Sequence, residues 1–406
     1  MDSNNIIKVI DAPCGKGKTS WAIQHMNEHE GRYIFITPFL DEVNRTKQSC
    51  QGFKEPSDKK SSKMAHLKDL LDRQENIVST HSLFSMADDE VLDLLRLGEY
   101  TLILDEVMDV VHREKISGHD IRLLIESGWI RIDEATAQVI AMDRFEPYKG
   151  KFDEIIEKAR AGRLIYFNNT FLVWEFSPEF FTAMQETYVM TYLFRGQVQR
   201  CYFDFHKLPY AMLTVTGEYG DYRLVPYDPD TADLEFRQFA QENIHVYEGD
   251  LNDIGKTGLS FSWYEKYNRP SNRLLVRIKN NTQNYFRNIV KGKASENMWT
   301  CFKDTQTRLK GKRYTKGFVQ CGARATNDYR HKKNLAYLVN RYAHPGIIQY
   351  FESQSVKIDQ NLFAVSELIQ WVWRSQIRDG KPINLYMPSE RMKKLLMEWM
   401  SGEFTG

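Results

Sequence analysis

Short apolar runs alternate with stretches of helix-forming composition through the first quarter of the chain. Ile6–Ile10, Tyr33–Ile36, Asn76–Ser79 and Thr101–Leu104 read as strands, and Lys63–Arg73 and Asp88–Leu97 as helices between them. Continuous apolar strands separated by helices predict a parallel sheet covered by helices, with its functional loops at the strand C-terminal ends. From about Asp109 the chain turns polar and helical, which predicts an insertion over roughly 110–185, and a strand returns at Thr187–Phe194. Short alternating segments between 197 and 245 carry the turn residues Gly217, Gly220 and Pro226 and predict an antiparallel extension or joining segment. A second α/β unit is expected from near Ile244. Its strand candidates are Ile244–Tyr247, Arg273–Ile278, Met298–Phe302, Phe318–Cys321, Leu335–Val339 and Ile383–Tyr386, and an amphipathic helix, Ser389–Met400, closes it.

With 406 residues the chain has room for two or three domains. No apolar run reaches bilayer-spanning length and no charged-then-apolar leader stands at the N-terminus, so a cytoplasmic location is the expectation. The cysteines (Cys14, Cys50, Cys201, Cys301, Cys321) are scattered, with no spacing that suits a disulfide framework or a structural zinc. A net charge of +1 conceals an asymmetry: residues 251–350 hold 20 Lys and Arg against 5 Asp and Glu, and the rest of the chain 35 against 49. A basic second half joined to an acidic remainder points to a polyanion contacted mainly by one domain. Aromatic residues are interleaved there (Trp263, Tyr264, Tyr285, Phe286, Trp299, Tyr314, Phe318), most of them expected in a core, although any that reach the surface could stack on bases.

The chemistry concentrates at two strand ends. Ala12–Thr19 (APCGKGKT) follows the first apolar run and precedes a helical segment, which is the strand, loop and helix of a phosphate-binding loop. Its residues Ala12, Pro13, Cys14, Gly15, Lys16, Gly17, Lys18 and Thr19 would surround the phosphates with backbone N–H groups. Lys18 would reach the β and γ phosphates, and the Thr19 hydroxyl would ligate Mg²⁺. The opening glycine of the usual pattern is replaced by Ala12. Thr101–Val107 (TLILDEV) then delivers two adjacent carboxylates. Asp105 would hold Mg²⁺ through water, and Glu106 would orient and deprotonate the attacking water. A second Gly-Lys-Thr at 255–257 lacks the opening glycine and is set aside as a nucleotide site.

With those motifs fixed, the other polar strand ends resemble the motif series of superfamily 2 helicases. The resemblance implies an α/β fold of two tandem RecA-like domains with parallel sheets, a helical insertion in the first, and ATP with Mg²⁺ in the cleft between them. Thr37, Pro38 and Arg45 resemble motif Ia, and Thr80 and His81 a second backbone-contacting strand end; both imply nucleic-acid contacts. Thr191 and Tyr192 stand where motif III couples ATP to nucleic acid. Arg324, Thr326 and Asn327 resemble the nucleic-acid-contacting motif V, followed by the strand and proline turn Leu338–Pro345. Gln370–Arg378 resembles motif VI, in which Gln370 would meet the nucleotide and Arg374 or Arg378 would act as the arginine finger. These two arginines are four residues apart where the family spaces them by three, which still leaves them on one helix face. The implied domains are 1–196, a joining segment 197–240, and 241–406. The compact chain also resembles small phage-encoded helicases.

The expected function is an ATP-dependent nucleic-acid translocase or helicase acting in replication, recombination or repair, with single-stranded DNA favoured and RNA open. Two other classes compete with it. A terminase-type packaging ATPase would need clustered carboxylates for a two-metal nuclease, and residues 251–350 scatter their 5 acids. A nucleotide-gated partner-binding module would have no need to keep Lys18, Asp105, Glu106, Arg374 and Arg378 together.

Overall fold

The computed structural model describes residues 6–59, 62–142, 148–218, 220–229, 231–254, 258–269, 272–322 and 329–404. Its first half is built on β1 (Ile7–Asp11), β2 (Arg32–Thr37), β3 (Ile77–Thr80) and β4 (Tyr100–Asp105). Val9, Phe35, Val78 and Ile103 are buried, as strands sandwiched between helices require.

Between β4 and the return of the main sheet lies the insertion, with β5 (Val111–Arg113), β6 (Ile130–Ile132), β7 (Val139–Ala141), β8 (Leu164–Phe167) and β9 (Phe171–Glu175). Expected as helical, it carries antiparallel strands in order β5-β9-β8 and a β6-β7 pair beside the helices Gly118–Glu126 and Asp153–Arg160. Asn168 and Asn169, both with left-handed backbone (φ 48 and 53), turn β8 into β9. That Asn-Asn pair between two apolar runs is the hairpin signal the composition obscured.

The main sheet resumes with β10 (Glu186–Thr191), β11 (Tyr210–Thr216) and β12 (Arg223–Pro226), and its order is β12-β11-β1-β10-β4-β2-β3. Every neighbour is parallel except β12. The segment expected as an antiparallel extension or a joining segment extends the first sheet, with only its last strand antiparallel. β10 enters between the phosphate-loop strand β1 and the Asp-Glu strand β4, so Thr191 ends between the two motifs.

A helix, Leu234–Asn243, leads to the second sheet of β13 (Ile244–Val246), β14 (Asn297–Thr300), β15 (Asn334–Tyr337) and β16 (Ile383–Tyr386), all parallel in order β13-β16-β15-β14. The strand expected at Arg273–Ile278 is instead the start of a helix, Arg273–Asn284, capped by Asn272 on the Leu274 N–H (2.9 Å). Leu275, Ile278 and Thr282 bury one face of it, a spacing of three and four that outweighs the local β-branched composition. Phe318–Cys321 makes a single bridge, Trp299 to Phe318, in place of a strand. Of the interleaved aromatics, Tyr264, Tyr285, Phe286, Trp299 and Tyr314 are buried. The chain is thus an α/β protein with two parallel-stranded sheets in tandem, the first ending in one antiparallel strand.

A helix of the second half reaches into the first. Helix Pro345–Glu352, from the second half, packs Ile347, Tyr350 and Phe351 into the core of the first. Tyr350 stacks on Phe205 (centroids 5.0 Å), meets Phe167 edge-on and donates its hydroxyl to Glu175 Oε1 (3.2 Å).

Candidate nucleotide-binding cleft

Gly15 and Gly17 both take φ 88, a conformation that a β-carbon disfavours, and Gly17 opens the helix Lys18–Glu28. The loop is anchored from below: the Ala12 N–H donates to the Thr191 carbonyl (3.1 Å). Lys18 turns back into the loop, where its ammonium is buried and donates to the Ala12 and Pro13 carbonyls. Lys16 points outward to Glu235 (3.0 Å). Tyr222, from the β11–β12 turn, lies directly on Gly17.

The carboxylates arrive from β4. Register pairs Ile36 with Leu104, which sets Thr37 beside Asp105. The Thr37 hydroxyl donates to Asp105 Oδ2 (3.0 Å), and Thr37 is fully buried. Expected as a nucleic-acid contact, Thr37 instead supports Asp105, because its side chain faces inward from β2. Burial pushes the Asp105 carboxyl up to about 7, with the charges of Glu106 and Glu42 adding and the Thr37 bond opposing. Glu106 leaves the strand with left-handed backbone (φ 69), its N–H held by the Met190 carbonyl (2.8 Å). Its Oε2 accepts the Thr191 hydroxyl (3.2 Å). A left-handed glutamate held on both sides is the kind of local strain that collects at functional sites.

The remaining first-half residues fall around these. His81 Nε2 lies 3.1 Å from the Asp105 carbonyl, and the Thr80 hydroxyl accepts the Leu83 N–H. Pro38 lines the cleft, and Arg45 reaches Glu42 (3.2 Å) and Ser20 (3.4 Å). Arg45, expected on a nucleic-acid path, lines the same cleft as Gly15, Gly17, Lys18, Thr19 and Ser20. Tyr192 donates its hydroxyl to Asp233 (3.2 Å), the residue that opens the linking helix, and packs on Phe236.

Asp11 went unnoticed in the sequence. It is fully buried at the end of β1 and accepts the N–H groups of Leu193 (2.9 Å) and Phe194 (2.8 Å). Burial pushes its carboxyl up to about 7 against those two bonds. Its position immediately before the loop is the only signal the sequence offers.

Across a cleft of about 1010 Å³, the second half contributes Gln370, Trp373, Arg374 and Arg378 opposite Lys18, Thr19, Asp105 and Glu106. Arg374 is buried and donates to the Gln320 carbonyl (3.3 Å). Both arginines act electrostatically on the Cys14 thiol of the phosphate loop, whose pKa burial raises. Among the described residues, Gln370 Nε2 and Arg374 Nε are buried donors without an acceptor. Cationic and amide donors converging from two domains on a glycine loop fit a triphosphate, and Thr19 with Asp105 fits the Mg²⁺ that would accompany it. Arg324, Thr326, Asn327 and the second Gly-Lys-Thr at 255–257 lie outside the described residues.

No helix among the described residues is long and apolar enough to cross a membrane. Residues 238–400 match the YonV C-terminal Rossmann-like domain and 111–174 the YonV middle domain. The chain is 41% identical over 413 residues to the SPbeta prophage-derived uncharacterized protein YonV of Bacillus subtilis (strain 168), covering 98% of this chain and 99% of that one. Among solved structures, an XPD helicase matches at 12% identity and TM-score 0.43, covering 98% of this chain and 95% of that one. An apo XPD matches at 13% and 0.47 (98% and 96%), and Xpd4 of S. tokodaii at 11% and 0.47 (97% and 94%).

Proposed function

The chain belongs to the YonV family, and we propose that it is an ATP-dependent nucleic-acid translocase or helicase. The observation that carries this reading is the cleft itself. A phosphate loop and an Asp-Glu pair on one RecA-like domain face two arginines from the other.

Lys18 holds the β and γ phosphates, and its present carbonyl partners, Ala12 and Pro13, give way to phosphate oxygens of opposite charge. Thr19 and Asp105 would hold Mg²⁺, which would supply charge neutralisation on the phosphate oxygens. Glu106 takes the proton of the attacking water while Thr191 fixes its carboxylate. Arg374 or Arg378 supplies the finger, a contribution of about 10³–10⁵ in rate in nucleotide hydrolases. Because the finger comes from the second domain, turnover requires the cleft to close.

The path out of the cleft runs through β10. Glu106 binds the Thr191 hydroxyl, the adjacent Tyr192 binds Asp233, and Phe236 of the same helix packs on Trp373 (centroids 4.4 Å) beside Arg374. A change at the γ-phosphate thus has a packed route to the second domain. The substrate class follows from the basic second half, with single-stranded DNA favoured, and the setting is replication, recombination or repair in the host cytoplasm.

The test is ATP hydrolysis at low salt with and without single-stranded DNA and RNA. Turnover should rise several-fold with one polymer and vanish in Glu106→Gln. Turnover that neither polymer moves would remove the motor reading and leave a nucleotide-gated binding protein.

A further inference from the structure

Away from the cleft, the N-terminal edge of the second sheet carries an asparagine ladder. Asn384 Nδ2 donates to Asn334 Oδ1 (3.0 Å), Asn334 Nδ2 to Asn297 Oδ1 (3.1 Å), and Asn297 Nδ2 to the Arg313 carbonyl (3.0 Å). Five cations gather around it. Lys291 and Lys293 flank Gly292, which is pressed so closely on Asn334 and Asn297 that a β-carbon there would come within 2.3 Å and 2.6 Å of their amides. Lys316 precedes Gly317, which is packed on the Asn297 carbonyl, and Lys333 precedes Asn334 itself. Arg313 completes the set.

Glu296 is the acid at this edge, and it is engaged by Lys333 (3.1 Å) and the Lys293 N–H (3.0 Å). Lys291, Lys293, Arg313 and Lys316 are exposed, with no ion-pair partner among the described residues. None of the five lines the nucleotide cleft.

Two of these cations stand where the backbone favours glycine. Lys291 has φ 48 and Arg313 φ 74. Turns of this kind ordinarily take glycine or asparagine. At both, a long charged side chain without an ion-pair partner among the described residues stands where glycine would relieve the backbone.

We propose that this face binds the phosphates of a nucleic-acid strand. The surface follows from the charges alone; the identity of the polyanion rests on the motor reading above. It would form a second grip, outside the cleft, that holds the strand without reading its sequence.

The experiment uses the full chain with Lys291→Gly and Arg313→Gly combined, substitutions that remove charge while relieving the backbone. A second variant, Lys293→Gln with Lys316→Gln, removes charge without touching either turn. Binding of labelled single-stranded and duplex DNA is followed by fluorescence anisotropy between 50 and 200 mM salt, a window of about that width being where counterion release is read. Each variant should lose about fivefold or more in affinity at the low end, with a salt slope smaller by about 1.5 to 2. The glycine variant should melt no lower than the parent. Unchanged affinity and slope in both variants, on both DNAs, would overturn the proposal. The two readings fail separately. If DNA does not stimulate ATP turnover in the parent but the variants still lose binding, the face stands and the motor does not.

Discussion

Gly15 and Gly17 share a backbone angle and differ in what surrounds them. An added β-carbon at Gly15 meets nothing within 4 Å, whereas at Gly17 it meets the Tyr222 ring at 2.3 Å. Alanine at either place incurs the left-handed penalty, about 1–2 kcal/mol. Only at position 17 must the β11–β12 turn also move. Gly17→Ala should therefore lower the melting temperature by clearly more than Gly15→Ala, measured without nucleotide. Equal shifts would mean that Tyr222 yields freely. That Lys18, Thr19, Asp105 and Glu106 line one cleft was legible because each motif is contiguous. Thr37 was misread and Asp11 unseen for the same reason: what a side chain touches across a sheet depends on register, and register is not written in its own segment.

At the scale of elements, β5 and β9 show how a short antiparallel pair builds a charged site. Their register sets His112 opposite Trp174, and the rings stack at 4.8 Å. His112 also binds Asp109 (2.8 Å) and Glu114 (3.3 Å), and Glu114 is shared with Lys158 from the helix Asp153–Arg160. Burial alone would lower the His112 pKa, but the bonds to Asp109 and Glu114 outweigh it and push the imidazole up to about 9. The unfolded value is about 6.5. Protonation thus favours the fold, and the contribution is complete below about pH 6.5 and lost as pH rises through about 9. His112→Gln should accordingly lower the melting temperature more at pH 6 than at pH 10. A deficit independent of pH would assign the effect to stacking on Trp174. Most strands of both main sheets stood out in the sequence as apolar runs, β12 excepted. The insertion's strands did not: β5, β6 and β7 are three residues each and half covered, and the apolar run of β9 sits among the charged stretches that made the whole segment look helical.

At the scale of the molecule, the boundary drawn at residue 241 follows the chain and misses the packing. Helix Pro345–Glu352 belongs to the second half by sequence and to the first by contact. No local pattern distinguishes it from its neighbours, because its partners Phe167, Phe205 and Glu175 are all more than a hundred residues away. Tyr350→Ala removes a buried aromatic ring and should destabilise the chain by about 3–5 kcal/mol. Chemical denaturation would check it, and a loss below about 1 kcal/mol would mean that this contact is optional.

A door on a single pin can twist as well as swing; hung on two, it keeps one axis. The second half is hung on more than two pins: the helix Leu234–Asn243, the anchored helix Pro345–Glu352, and the seam where Gly196 lies on the Leu362 carbonyl and Arg200 reaches the Lys357 carbonyl. In a translocase, any stroke of that half would have to strain or break one of these attachments.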